Sequence, residues 1–307
     1  MAQDYRLAGH CRGYDILTSA GRQGRLWLVG CLLACLPLVT AAQQRIVSVS
    51  GALTEIVYAL GAGERLVGVD TTSTWPEATA DLPSVGYQRA LSAEGVISLS
   101  PTHVLLTDDA GPPAVLAHLR SAQVNLVEVV QPPSMAGIVA KIRDVARVLD
   151  LAERGEALVE QVERDIDRIP AASPARPKVV FLLDIGRGAP VAAGHSTLAD
   201  AAIALAGGNN VFGGAFEGFR AVGPESLIGA APDVILLTRR TLEVLGDEAG
   251  VLGLPGIAQT PAGRQRRIVA MDGLYLLGFG PRTPRAITEL AERWAPLAPV
   301  VSRSDSR

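Results

Sequence analysis

Val85-Gly86-Tyr87-Gln88-Arg89-Ala90-Leu91-Ser92-Ala93-Glu94-Gly95-Val96-Ile97-Ser98-Leu99-Ser100-Pro101 decides the fold, because its second half recurs as Val222-Gly223-Pro224-Glu225-Ser226-Leu227-Ile228-Gly229-Ala230-Ala231-Pro232. In both copies a Glu opens a short helical run, a Pro follows seven residues later, and an apolar strand ends in Leu-Leu-Thr, at Leu105 to Thr107 and at Leu236 to Thr238. Only the first copy is preceded by Gly-Tyr-x-Arg. A duplicated frame with one unpaired Tyr predicts two lobes around a cleft, the first supplying most of the chemistry.

Outward from the repeat, short apolar runs alternate with amphipathic ones. Strands are expected at 46–48, 66–69, 104–106 and 126–130, with helices at 53–60, around Glu94 and at 114–121. Such alternation predicts an α/β fold of mostly parallel sheets covered on both faces. From Ser134 to Arg168 the texture changes. Ile138, Ile142, Val145, Val148, Leu149, Leu158, Val162 and Ile166 recur mostly at threes and fours with charges between them, which predicts one long amphipathic helix, with Gly155 as its weak point. Pro170, Pro174 and Pro177 stop it. The αβ rhythm restarts at Val179 and closes with a helix from Pro284 to Trp294. The expected division is therefore a first αβ lobe over 43–133, a linking helix over 134–169, a second αβ lobe over 170–299 and a tail over 300–307. Two Rossmann-like lobes joined by a single long helix hinge less freely than lobes joined by several extended strands, so ligand binding should move them little.

Residues 26–39 form the one long uncharged apolar run. Arg22 and Arg25 precede it and Thr40-Ala41-Ala42 follow, the order of a signal peptide, and the run is short for a membrane span. Residues 1–42 are thus expected to be a signal peptide with an upstream segment, directing the rest to the periplasm. Leu32-Leu33-Ala34-Cys35 also loosely matches a lipoprotein processing box, which would leave a lipid-anchored form, although the residues after Cys35 stay apolar. Cys11, Cys31 and Cys35 are the only cysteines of the 307 residues. Cleavage after Ala41 or Ala42 would leave none, which excludes a disulfide framework, a thiol nucleophile and a thiolate metal site. It would also leave 29 acidic against 24 basic residues, a net charge of −5. That balance carries no basic footprint for nucleic acid.

Gly61-Ala62-Gly63 closes a helix and precedes a strand, the reverse of a phosphate-cradling loop, so it reads as a helix C-cap. No Ser/His/Asp set stands in a nucleophile-elbow context and no two histidines have metal-ligand spacing. An enzyme is therefore not expected, and a secreted αβ enzyme is the remote alternative. From local sequence alone Tyr87 reads as an exposed or packing residue in a loop ahead of the Glu94 helix.

Several motifs in order change that balance. Gly68-Val69-Asp70-Thr71-Thr72-Ser73, Leu82 to Gly95, Ala192-Ala193-Gly194-His195-Ser196-Thr197, Leu254-Pro255-Gly256, Thr260-Pro261-Ala262-Gly263 and Leu276-Leu277-Gly278-Phe279-Gly280 together resemble the periplasmic haem-binding proteins of bacterial haem ABC importers. The resemblance spans the chain beyond residue 42. It implies a class III (cluster A) solute-binding fold with ferric haem held between the lobes. It also implies an inner-membrane permease of two subunits with its ATPase as partner, an outer-membrane haem receptor system as donor, and a monomeric protein. Within that family the Tyr of Gly-Tyr-x-Arg ligates the iron, a role the resemblance places on Tyr87. The chemistry agrees, since ferric iron is a hard acid that favours an anionic oxygen, and a free phenol, ionising near 10, needs the metal and a nearby cation to become one. Arg89 supplies that cation or else binds a propionate.

Some members add a second-lobe His after the strand that here ends at Leu183. This chain has Asp184-Ile185-Gly186-Arg187 there, so a second axial ligand is not expected at that place. His195 is a candidate for the cleft, against a plainer reading as a solvent-facing residue near a helix start. His103 and His118 are expected to do no chemistry. Arg239 and Arg240 are candidate propionate partners or a solvated pair. Glu94 and Glu225 read singly as helix-start carboxylates favoured by the macrodipole. The resemblance gives them a shared task, docking onto arginines of the two permease subunits. A ferric siderophore or cobalamin in the same fold is the alternative cargo. The motif argues against the first, and few aromatic residues for the cleft against the second.

Overall fold

The computed structural model describes residues 44–294 apart from 131, 173–175 and 184–189; the expected signal peptide, the cysteines and the Asp184–Arg187 segment lie outside the described residues. In chain order the elements are β1 (Ile46–Val49), α1 (Gly51–Ala59), β2 (Leu66–Val69), β3 (Gly86–Tyr87), β4 (Ala90–Leu91), α2 (Ala93–Ser98), β5 (His103–Thr107), α3 (Pro113–Ser121), β6 (Leu126–Val129), α4 (Met135–Val148), α5 (Ala152–Ile166), β7 (Lys178–Leu183), β8 (Val191–Ala193), α6 (Leu198–Leu205), β9 (Asn209–Asn210), β10 (Phe219–Ala221), α7 (Pro224–Ala230), β11 (Val234–Thr238), α8 (Arg239–Leu245), α9 (Glu248–Leu252), α10 (Pro261–Arg264), β12 (Ile268–Met271), α11 (Gly273–Leu277) and α12 (Thr283–Trp294).

The first sheet runs β2-β1-β5-β6 and is parallel throughout. Its central strands β1 and β5 are buried, with Ile46, Val47, Val104 and Leu105 at zero exposure, as a sheet covered on both faces requires. The second sheet runs β10-β8-β7-β11-β12. Its centre is parallel, but β8 and β10 add an antiparallel edge. The α1 helix closes as the glycine pattern predicts. Gly61 takes φ +70, and the Gly61 and Ala62 amides bond the Tyr58 and Val57 carbonyls, a Schellman cap.

The stretch expected to be one helix over 134–169 is two. Helices α4 and α5 are separated by Leu149-Asp150-Leu151, with Asp150 at φ 57, and they fold back on one another. The periodicity ran through the break because both helices are amphipathic with similar spacing and the three-residue turn contains neither Gly nor Pro. Gly155 is not the break but the contact point: a Cβ there would lie 2.5 Å from the Ala146 Cβ. Arg143 and Glu156, paired through two 2.9 Å bonds, close the hairpin on its outer side. The α4 helix belongs to the first core, alongside Leu53, Ile56 and Val57 of α1. The chain passes from the first lobe to the second through α5, which packs Leu158, Val159 and Val162 into that core and bonds its Asp165 to Arg285 of α12 at 2.7 Å.

Three contacts bring the carboxyl ends of the two sheets together. Gly51, just past β1, lies so near Leu274, just past β12, that a Cβ on the glycine would come within 2.6 Å of the Leu274 Cδ1. Glu55 of α1, buried, accepts the Arg282 backbone N–H at 2.9 Å and its Nη2 at 3.0 Å. The Arg282 guanidinium also lies over Trp75, 4.4 Å from the ring centre, and 5.4 Å from that of Tyr275. Ligands of open α/β sheets bind outside the carboxyl ends of the strands. That is where the candidate residues must be sought.

Candidate functional site

Tyr87 sits on a two-strand hairpin, β3–β4, which the sequence did not announce. Gly86 pairs with Leu91 and Tyr87 with Ala90 across it. Gly86 has φ 96, a conformation open to glycine, and this lets the chain turn so that the next side chain stands out from the lobe. Tyr87 is 42% exposed, a large figure for an aromatic residue in a chain with few of them. The hairpin is fixed at three places: the Thr71 amide bonds the Gly86 carbonyl at 3.0 Å, the Gly111 amide the Gln88 carbonyl at 2.9 Å, and the Leu91 amide the Gly111 carbonyl at 3.0 Å. It is therefore held to the segments that leave the carboxyl ends of β2 and β5.

Arg89 donates from Nη1 to the Tyr87 hydroxyl at 3.2 Å and from Nη2 to Asp109 at 2.5 Å. Asp109, two residues past β5, also accepts from Gln88 Nε2 at 3.2 Å and from the Thr107 hydroxyl at 2.6 Å. Sequence reading missed Asp109. Its only signal was a doubled acid, Asp108-Asp109, directly after a strand end. Partial burial disfavours the Arg89 charge, but the Asp109 carboxylate and the Tyr87 hydroxyl outweigh that cost and hold its pKa above the ordinary value. A guanidinium held by Asp109 thus stands 3.2 Å from the phenol oxygen.

The second lobe repeats this frame at a constant offset of 131 residues. Leu91 and Val222 are buried alike, Ser100 and Ala231 both take positive φ, 45 and 48, before Pro101 and Pro232, and Thr107 matches Thr238. The same offset sets Asp108 and Asp109 against Arg239 and Arg240. One lobe offers two carboxylates past its strand, one of them engaged with Arg89, and the other lobe offers two guanidiniums. Arg239 and Arg240 are exposed at the start of α8, which Thr238 caps through its hydroxyl at 3.0 Å from the Thr241 amide, and no ion pair among the described residues engages either.

His195 is exposed and follows β8, its Nδ1 3.1 Å from the Ser196 hydroxyl, while Thr197 caps α6. Among the described residues no hydrogen bond joins it to Tyr87 or Arg89. Glu94 and Glu225 are exposed in the first turns of α2 and α7. His103 bonds Thr102 and His118 is exposed on α3, both away from this hairpin. The described residues contain no cluster of three or more His, Cys, Asp or Glu with metal-site geometry, and no helix long and apolar enough to cross a membrane.

A family model described as periplasmic binding protein matches residues 46–274. Among solved structures, the chain is similar to the periplasmic heme-binding protein RhuT from Roseiflexus sp. RS-1 at 46% identity and a TM-score of 0.78, over 82% of this chain and 98% of that one. It is similar to the periplasmic heme-binding protein BhuT, solved in complex with two hemes, at 42% identity and a TM-score of 0.77, over 81% and 97%. HutB of Vibrio cholerae, also a periplasmic heme-binding protein, is 36% identical with a TM-score of 0.72, over 83% and 99%. A vitamin B12-binding protein of Yersinia pestis (strain Pestoides F) is 23% identical over 274 residues, 89% of this chain and 94% of that protein. The family and these relatives are binding proteins rather than enzymes.

Proposed function

Because the chain belongs to the periplasmic binding protein family, we propose that it is the haem-binding component of a bacterial ABC importer, taking ferric haem between its lobes in the periplasm and delivering it to the inner-membrane permease. Haem-binding relatives of solved structure are 29 to 46% identical to this chain, whereas the vitamin B12-binding relative is 23% identical. The observation that carries the reading is the triad Tyr87–Arg89–Asp109. An exposed phenol oxygen has one charged donor at 3.2 Å, and that donor is fixed by a carboxylate that does not itself reach the phenol. Tyr87 would be the axial oxygen ligand and Arg89 the cation that favours its ionised form.

Arg239 and Arg240 suit the haem propionates, being exposed, unpaired among the described residues and planar enough for bidentate contact with a carboxylate. His195, exposed after β8, is kept as a contact of the cargo. Glu94 and Glu225, one per lobe, would meet basic residues on the two permease subunits. Residues 1–42 would be the export signal, the donor an outer-membrane receptor system, and the working form a monomer.

Titration of the purified protein with haemin should give a high-spin ferric spectrum with a tyrosinate charge-transfer band, which Tyr87→Phe abolishes. The same protein titrated with cyanocobalamin should show no saturable binding at comparable concentration. An unchanged haemin spectrum in Tyr87→Phe would sink the ligand assignment, and tight cobalamin binding would sink the choice of cargo.

A further inference from the structure

Seven large apolar side chains among the described residues are substantially exposed: Trp75, Tyr87, Ile97, Val130, Phe219, Ile228 and Val244. Single exposed apolar residues are ordinary and explain nothing. One pair among the seven, Ile97 and Ile228, is related by the 131-residue offset of the internal repeat. Their neighbours Val96 and Leu227 are fully buried at matched positions, so each short helix turns one apolar residue into its lobe and the next one out. Ile97 is 37% exposed and Ile228 is 44% exposed. Each lies three residues after Glu94 or Glu225, a spacing that puts carboxylate and isoleucine on the same helix face. Among the described residues no ion pair or side-chain hydrogen bond engages either glutamate.

The local geometry is reproduced as well as the residue types. In both copies the Pro comes seven residues after the Glu, and the residue just before it, Ser100 or Ala231, takes a positive φ ahead of the next strand. Elsewhere the two lobes have diverged: the residues past the strands carry opposite charge, one lobe has the Tyr hairpin, and the second sheet has an antiparallel edge. A carboxylate with an exposed isoleucine one turn on, kept on both lobes amid that divergence, fits a partner that presents one surface twice.

We propose that Ile97 and Ile228 are paired apolar anchors for a membrane partner made of two like subunits, each subunit offering a basic group for Glu94 or Glu225 beside a small apolar pocket for the isoleucine. The inference rests on the docking reading given above and adds the contact that holds the complex together. Exposed charges steer encounter and set register, whereas a desolvated apolar anchor at the centre of a contact governs how long it lasts. The two residue types therefore divide the kinetics. Glutamates act on association and its salt dependence, and isoleucines on dissociation.

The test measures binding of the processed, haem-loaded protein to the permease–ATPase complex in lipid nanodiscs, with association and dissociation followed at several salt concentrations. Ile97→Ser with Ile228→Ser should dissociate about tenfold faster, with the salt dependence of association intact and the haemin titration as in the parent. Glu94→Gln with Glu225→Gln should instead flatten the salt dependence. Ile97→Val with Ile228→Val should recover most of the lifetime, which separates loss of contact from loss of folding. Parent-like dissociation in the double Ser variant, with the Gln pair defective, would overturn the anchor and leave the docking face standing. If neither pair alters binding, both readings fail together. An effect of only one isoleucine would overturn the two-fold arrangement.

Discussion

Glu55 and Arg282 form an ion pair at 3.0 Å that joins the first helix of one lobe to the loop before the last helix of the other. Glu55 is buried and accepts from both the side chain and the backbone of Arg282, while the guanidinium is only partly covered and lies between Trp75 and Tyr275. A buried pair adds little over an apolar substitute, but removing one partner leaves the other desolvated and unmatched. Glu55→Ala should therefore cost about 2–3 kcal/mol in urea denaturation, below the roughly 3–5 kcal/mol of fully buried pairs because Arg282 retains some solvent. Glu55→Gln, which keeps an acceptor for the backbone N–H, should lose about half as much. A change under about 0.5 kcal/mol in the Ala variant would show the pair to be energetically idle.

Asp109 acts on the phenol only through Arg89. Arg89→Ala should weaken haem binding by about 1.5–3 kcal/mol, the scale of one charge-assisted hydrogen bond, without abolishing it. Asp109→Asn should also weaken binding although its carboxylate makes no hydrogen bond to the phenol, because Arg89 loses its charged acceptor. In the double variant the two losses should not add, since both pass through the same guanidinium. Additive losses in a haemin titration would place Asp109 on an independent route.

How much of this was legible beforehand depended on whether a feature was written locally. The buried strands around Val47, Leu105, Phe181 and Leu236 are apolar runs between turn signals, and their places followed from pattern alone. The three-residue strands β8 and β10 were not legible, because Val191–Ala193 and Phe219–Ala221 are too short to show a period. Tyr87 could be singled out and Arg89 placed beside it, two residues apart on one hairpin. Asp109 lies twenty residues from Arg89, and nothing in the intervening sequence says that the chain returns there. The helix break at Asp150 was hidden because a single Asp between two leucines is a weak turn signal without Gly or Pro beside it, and the apolar period runs on past it.

Gly155 sets two effects against each other. Gly→Ala inside a helix ordinarily gains about 1 kcal/mol from propensity. Here the added Cβ would lie 2.5 Å from that of Ala146, so α4 and α5 must part. Overpacking of this kind costs about 1–3 kcal/mol, and the net effect of Gly155→Ala should be a loss. Combining it with Ala146→Gly should restore the spacing and recover much of the stability. A thermally stabilised Gly155→Ala single variant would show that the hairpin tolerates a wider crossing.

Lys141 makes the last prediction, one of pH. Its side chain is fully buried on α4, and the Nζ donates to the Phe279 carbonyl at 3.0 Å across to the second lobe's motif segment. Burial lowers its pKa from 10.5 to about 7, against the opposing pull of Asp108, Asp109 and Glu55. The unfolded chain holds the proton up to about 10.5, whereas the folded one gives it up near 7, so between those values the unfolded state binds more protons and stability rises with pH. Below about 7 both states are protonated and the folded state bears the whole cost of the buried charge. Lys141→Met removes that cost, on the order of 5 kcal/mol, and loses the bond to Phe279, about 1 kcal/mol. The variant should therefore exceed the parent in stability at pH 6, and the advantage should shrink steadily toward pH 10. Other titrating groups are common to both proteins and cancel in the difference. Urea denaturation of the two at pH 6, 8 and 9.5 measures it, and an advantage that stays constant or grows with pH would contradict a depressed Lys141 pKa.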